Sequence, residues 1–274
     1  MMNFSFIKQH HFQWFKYLVY GLLAINTMMF FREEWLASSH TFSGPIPLME
    51  LISAFSATID TAAWVLLLLL FEMETYQIPH EKWKPPLSSS VHLVRMLCYL
   101  FIIYAFYGYV TGALEMHQYV SAAITQPCAL VGDNYSMLVT LDEYITLTTG
   151  NCDQYTGLEL SRLAGTNILA TAEVLSDSRW LAWLDVINSV TWILVVLVLE
   201  ADVRLQDKNL LRGPVLVVSL SMKTVLYTIL FFAAVYWGFE GDFLDFWDAF
   251  LWLVAFVFIE MNVVQWNEEL LEND

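Results

Sequence analysis

Polar residues along this chain are scarce and arrive in clusters, separated by long, almost unbroken apolar stretches. A helix that crosses a bilayer needs about 20 consecutive, mostly apolar residues. Six stretches meet that requirement, over 13–31, 48–72, 91–114, 180–201, 215–237 and 243–266. They predict an all-α integral membrane protein with six transmembrane helices. The first stretch leaves through Phe31-Arg32-Glu33-Glu34-Trp35, with no small-residue cleavage site. It is therefore expected to be a retained span rather than a removed signal peptide.

Composition agrees with the pattern. Of 274 residues, 58% are hydrophobic and 15% charged, against about 25% charged in a typical soluble domain. The mean hydropathy is +0.54. With 11 Trp, 13 Tyr and 19 Phe, the chain can furnish aromatic belts at both membrane surfaces.

The polar clusters carry an internal repeat. Asp60, Asn188 and Asp248 are each followed by a tryptophan four residues on, at Trp64, Trp192 and Trp252. Eight residues later comes a glutamate, at Glu72, Glu200 and Glu260, and two further on Glu74, Asp202 and Asn262. An aromatic residue stands five positions before each Asp or Asn, and a glutamine follows at Gln77, Gln206 and Gln265. The odd-numbered spans share a shorter element, a basic residue four before a tyrosine: Lys16 and Tyr20, Arg95 and Tyr99, Lys223 and Tyr227. The chain thus reads as one membrane domain over 1–274, built of three tandem hairpins at 13–77, 91–206 and 215–266. Three hairpins with charged networks resemble mitochondrial carriers in layout alone, since that family's proline-acid-basic signature is missing from the odd spans.

Basic residues give an orientation. Lys8, Lys16, Lys82, Lys84, Arg95, Arg204, Lys208, Arg212 and Lys223 fall on one side, and Arg32, Arg162 and Arg179 on the other. The positive-inside rule then predicts cytoplasmic termini, in the plasma membrane (the inner membrane of a bacterium). Cys128 and Cys152 both fall in the loop over 115–178, which this topology exposes to the oxidising side. A bridge between them is expected there, worth about 3 kcal/mol by loop closure. Within this subdomain, Tyr135–Leu141 and Tyr144–Thr148 read as a β-hairpin. Leu158 to Val174 reads as an amphipathic helix, and Ser176-Asp177-Ser178 as the cap of the fourth span.

Each hairpin begins with its basic residue and ends with its acids, so both are expected at one depth near the cytoplasmic face. Lys16 is then expected near Glu72 and Glu74, Arg95 near Glu200 and Asp202, and Lys223 near Glu260. Charges at one depth in a medium of low dielectric should pair. Around a pseudo-threefold axis they would form a charged ring. Asp60, Asn188 and Asp248 lie deeper, about 18 Å along the helix from the matching Glu.

Two functions fit this pattern. Asp60, Asp248 and Asn188, with Glu72, Glu200 and Glu260, are candidates to line the path of a small cation or proton, because ionisable groups inside a membrane carry function by default. Alternatively the acids only bind Lys16, Arg95 and Lys223, and the chain is a non-transporting assembly subunit beside a membrane partner or a second copy of itself. Trp64, Trp192, Trp252 and the three tyrosines are expected to pack. The net charge of −16 excludes nucleic acid as a partner. No nucleophile elbow, zinc-protease motif, phosphate loop or metal-ligand cluster occurs, so neither catalysis nor a cofactor is expected.

Overall fold

The computed structural model describes the backbone of residues 4–42, 46–47, 50–73, 85–208 and 210–272. Side chains are described over 13–42, 46–47, 50–51, 54–73, 89–202, 204–205, 208 and 210–258. Seven α-helices account for most of it: α1 (Phe4–Thr41), α2 (Leu51–Ala54), α3 (Ser56–Glu72), α4 (Pro85–Glu115), α5 (Ala172–Asp207), α6 (Pro214–Glu240) and α7 (Phe243–Glu272). A small sheet lies between α4 and α5, with strands β1 (Tyr119–Ala122), β2 (Ser136–Leu138), β3 (Tyr144–Thr146), β4 (Leu160–Leu163) and β5 (Ile168–Thr171). Among the described residues four helices are long and apolar enough to cross a membrane, within α1, α4, α5 and α6. Of the other two expected spans, α3 reaches 17 residues and α7 passes beyond the described side chains at 258.

The chain divides into two compact units, one of residues 1–26 with 188–274 and one of residues 27–187. In the first unit α5, α6 and α7 follow one another through short turns. Pro214 opens α6 after Gly213, where its missing N–H costs nothing. Gly241 closes α6 with a left-handed φ of 87°, its N–H donating to the Trp237 carbonyl. The Asp242 carboxylate then accepts from the Asp245 N–H and opens α7. A side chain at Gly238 would meet the Phe246 ring at 3.2 Å, so that glycine lets α6 and α7 approach. The start of α1 runs antiparallel to α7. Phe15 meets Phe258 edge-on at 5.6 Å, and ten residues earlier along α7 Asn26 reaches Asp248.

In the second unit the sheet runs β1-β4-β5-β2-β3, all neighbours antiparallel except β5 with β2. Alternation along the strands buries both faces. Leu138, Ile168 and Ala170 join Ala113 and Met116 of α4 and Leu175 and Ala182 of α5. On the other face Met137, Leu160 and Leu169 pack with Leu147 and Cys152. A disulfide joins Cys128 to Cys152 with Cα atoms 5.0 Å apart, as their shared place in the 115–178 loop led us to expect. The expected β2–β3 hairpin is present too.

Three local expectations are corrected. Leu158 to Val174 forms β4, a turn and β5, not a helix. Gly165 takes φ 80°, and Arg162 Nε donates to the Thr166 carbonyl at 2.6 Å across the turn. A helix would bury one face of this segment, whereas the two-sided core takes residues from both. The fourth helix begins at Ala172, ahead of Ser176-Asp177-Ser178, and Thr171 caps it by accepting the Val174 N–H. The first helix does not stop at Phe31. It continues to Thr41, for a reason given below.

Candidate functional site

The helical part of the first unit holds two acids in different settings. Near the end of α5, Asp202 Oδ2 lies 3.2 Å from Lys223 Nζ and accepts the Ser219 hydroxyl at 2.7 Å. Ser219 and Lys223 are four apart on α6 and so share a face. The basic residue of the third hairpin therefore bonds to the second acid of the preceding hairpin. Its expected neighbour Glu260 lies outside the described side chains. Glu200, two residues from Asp202, points elsewhere and makes an exposed pair with Arg204 at 3.5 Å.

The second acid, Asp248, stands five residues into α7. Its Oδ1 accepts a hydrogen bond from Asn26 Nδ2 at 2.9 Å, and the Trp252 side chain bonds the same carboxylate. Both groups that bond it are neutral. The Trp252 bond gives a physical reason for the four-residue spacing: an indole one turn on lies on the carboxylate's own helix face and can donate to it. Trp252 also touches Trp192 of α5 at 6.4 Å between ring centres, and Trp192 lies 4.6 Å from Phe256. Asn188, one turn before Trp192, is half-buried, and its Oδ1 has no hydrogen-bond partner among the described residues. Lys16, on the same unit's α1, is enclosed to 1% exposure, with its ammonium 5.2 Å from the Tyr17 ring centre.

The second unit uses an acid that the sequence reading left in a loop. Glu34 accepts hydrogen bonds from the backbone N–H groups of Ala57 at 2.7 Å and Thr58 at 3.1 Å, and from the Thr58 hydroxyl. These are second and third residues of α3, whose own capping residue is Phe55 and offers no side-chain acceptor. Glu34 thus supplies in trans the cap that α3 lacks. Phe55 in turn stacks on Phe31 at 5.7 Å. These contacts require α1 to continue past Arg32. Glu72, in the same unit, is buried at 4% exposure, Asp60 and Arg95 are half-buried, and Glu74 lies outside the described residues.

Toward the sheet, His40 Nδ1 lies 3.0 Å from the Ser136 hydroxyl and its ring stacks on Tyr144 at 5.9 Å. Burial pushes the Tyr144 phenol well above its usual value, with Tyr119, Asp142 and Glu115 adding to the shift. Burial raises Tyr119 likewise, helped by Glu115. Both phenols stay neutral through the physiological range and act as packing groups of the sheet core.

The repeated positions share a burial pattern. Three, seven and ten residues after Lys16, Arg95 and Lys223 stand Val19, Leu23 and Asn26, Cys98, Ile102 and Ala105, and Leu226, Leu230 and Ala233, all buried. In the other helices Trp64, Trp192 and Trp252 are buried, as are Thr61, Ser189 and Ala249, each one residue after the Asp or Asn. Tyr20 is buried, and Tyr99 and Tyr227 are half-buried. Sequence reasoning missed Asn26, Glu34 and Ser219. Asn26 had a signal available, as the one amide within the apolar run 18–31.

The chain matches no family model, and no curated protein or solved structure matches it.

Proposed function

We propose that this chain is a multi-pass protein of the plasma membrane (the inner membrane of a bacterium) that handles a small cation or a proton through Asp248. Its six spans form three hairpins, with both termini cytoplasmic and the disulfide-closed subdomain outside. The four long apolar helices support the membrane setting, and the shared burial pattern supports the repeat. A disulfide in the 115–178 segment suits an external, oxidising location.

One observation carries the ionic reading. Asp248 is bonded by Asn26 and Trp252 alone of the described residues, within apolar helices and with no basic group beside it. A carboxylate in that setting is costly and marks a functional position by default. Asp202 and Glu34 act differently, since each is committed to fixing helices against one another. The candidate path is accordingly centred on Asp248, with Asn188 and Asp60 at the equivalent repeat positions. Glu72, Glu200 and Glu260 become secondary candidates.

The second reading, a non-transporting assembly subunit, draws support from the subdomain between α4 and α5. There Val120 and Ile145, on the two edge strands, and Leu158, just before β4, are exposed in a disulfide-braced subdomain, as apolar side chains available to a partner protein. Reconstitution separates the two. Purified protein in liposomes is expected to carry cation or proton flux above that of empty vesicles. Silence across ions and pH, with stoichiometric co-purification of another membrane protein, would leave the assembly reading in its place.

A further inference from the structure

Two adjacent polar atoms of α5 are buried and accept no hydrogen bond from any described residue: Oδ1 of Asn188 and Oγ of Ser189. Ser189 is 2% exposed. Inside apolar helices such atoms are destabilising unless something polar meets them.

Their direction follows from helix geometry. At 3.6 residues per turn, Trp192 projects about 40° from Asn188 and about 60° from Ser189, between the two. Trp192 touches Trp252 and Phe256 of α7, so both orphan atoms lie on the side of α5 that faces α7. The two helices run parallel, because α6 reverses the chain between them. Asn188, one turn before Trp192, is therefore level with Asp248, one turn before Trp252. Asn26 of α1 reaches the same carboxylate at 2.9 Å. Helix geometry thus places a carboxylate, an amide oxygen and a hydroxyl of two parallel helices at one level, with Asn26 of α1 bonded to the carboxylate.

The donor set specifies the ligand. All three donors are hard oxygens, which excludes soft metals. A single carboxylate matches one positive charge, whereas calcium takes six to eight oxygens with several carboxylates among them. We propose that Asp248, Asn188 and Ser189 form a binding site for one alkali-metal cation. This names the ion class for the reading above and rests on it for the role of Asp248.

The test titrates the purified full chain in detergent with NaCl or KCl against choline chloride at constant ionic strength. Thermal midpoint and tryptophan fluorescence are read together, since Trp192 and Trp252 adjoin the site. A saturable rise in midpoint with Na+ or K+ is expected in the wild type and in Asp202→Asn, and no rise in Asp248→Asn. Ser189→Ala removes one neutral ligand and keeps the fold if Asp248→Asn does not. It is expected to weaken binding about tenfold, the scale of one lost hydrogen-bonding oxygen. No alkali dependence in the wild type, the same dependence in both site variants, or a response to pH alone in choline overturns the proposal. Saturable binding by a protein that is flux-silent in liposomes leaves the site standing and sinks the transport reading. Flux without alkali binding does the reverse.

Discussion

Asp202 and Asp248 lie in the same unit, and they are stabilised by opposite means. Asp202, near the end of its helix, is met by a formal charge, Lys223 at 3.2 Å. Asp248, just as close to the start of its own helix, is met by neutral dipoles, an amide and an indole. Near a helix end a lysine can satisfy an acid and still reach polar surroundings along its flexible stem. Where apolar side chains enclose both groups, two formal charges lose hydration, and their attraction has to repay both losses. A carboxylate held by dipoles has no resident counter-charge. The first arrangement fixes structure, and the second leaves electrostatic potential to attract a cation.

If that contrast is right, substitutions should separate the two settings, with unfolding free energy in detergent as the measure. Asn26→Leu takes the amide donor from Asp248 and is expected to cost about 2–3 kcal/mol, the scale for a hydrogen bond to a charged group. A cost near zero would mean that the bond is incidental. Glu34→Ala leaves the N–H groups of Ala57 and Thr58 without their acceptor and is expected to cost about 2 kcal/mol. Lys223→Met is expected to cost about 2 kcal/mol, because the pair is mostly enclosed, with 20% and 13% of the two side chains exposed, and Asp202 keeps only the Ser219 hydroxyl. Added salt should change its difference from wild type little, as for Asn26→Leu, because enclosed groups are screened weakly. Arg204→Ala breaks an exposed pair whose arginine side chain is 78% accessible, and should stay within about 0.5 kcal/mol. A larger effect there would restore Glu200 to the centre of the account.

The sequence made the long helices, the cysteine bridge and the first β-hairpin legible, because each depends on a local signal. Apolar run length marks the helices, and alternation beside Asp142-Glu143 marks β2 and β3. Other features depend on partners distant in the chain. Leu160, Leu163, Ile168 and Leu169 suit a helical period as readily as two strands, and only the two-sided core around Met137 and Leu138 decides for strands. Arg32-Glu33-Glu34 looks like a membrane exit until the uncapped start of α3 is known, which requires knowing that Phe55 breaks the helix. The acid and base of the repeat were each visible, and hairpin connectivity suggested Lys223 with Glu260. Its bond to Asp202 follows from the short 208–213 connection, which sets α5 and α6 side by side with Ser219 and Lys223 on the facing side. Asn26 lacks a counterpart in the other copies, where Ala105 and Ala233 stand ten residues after the basic position. A search for repeats passes over it for that reason.

The claim at the centre of this account is that Asp248, rather than the lysine-paired Asp202, is where the cation acts. Side-by-side flux measurements on Asp248→Asn and Asp202→Asn in liposomes, at matched reconstitution, test it most directly. The account predicts that Asp248→Asn abolishes cation flux while Asp202→Asn retains it in a less stable protein. Full flux in Asp248→Asn, or loss in Asp202→Asn alone, would contradict it.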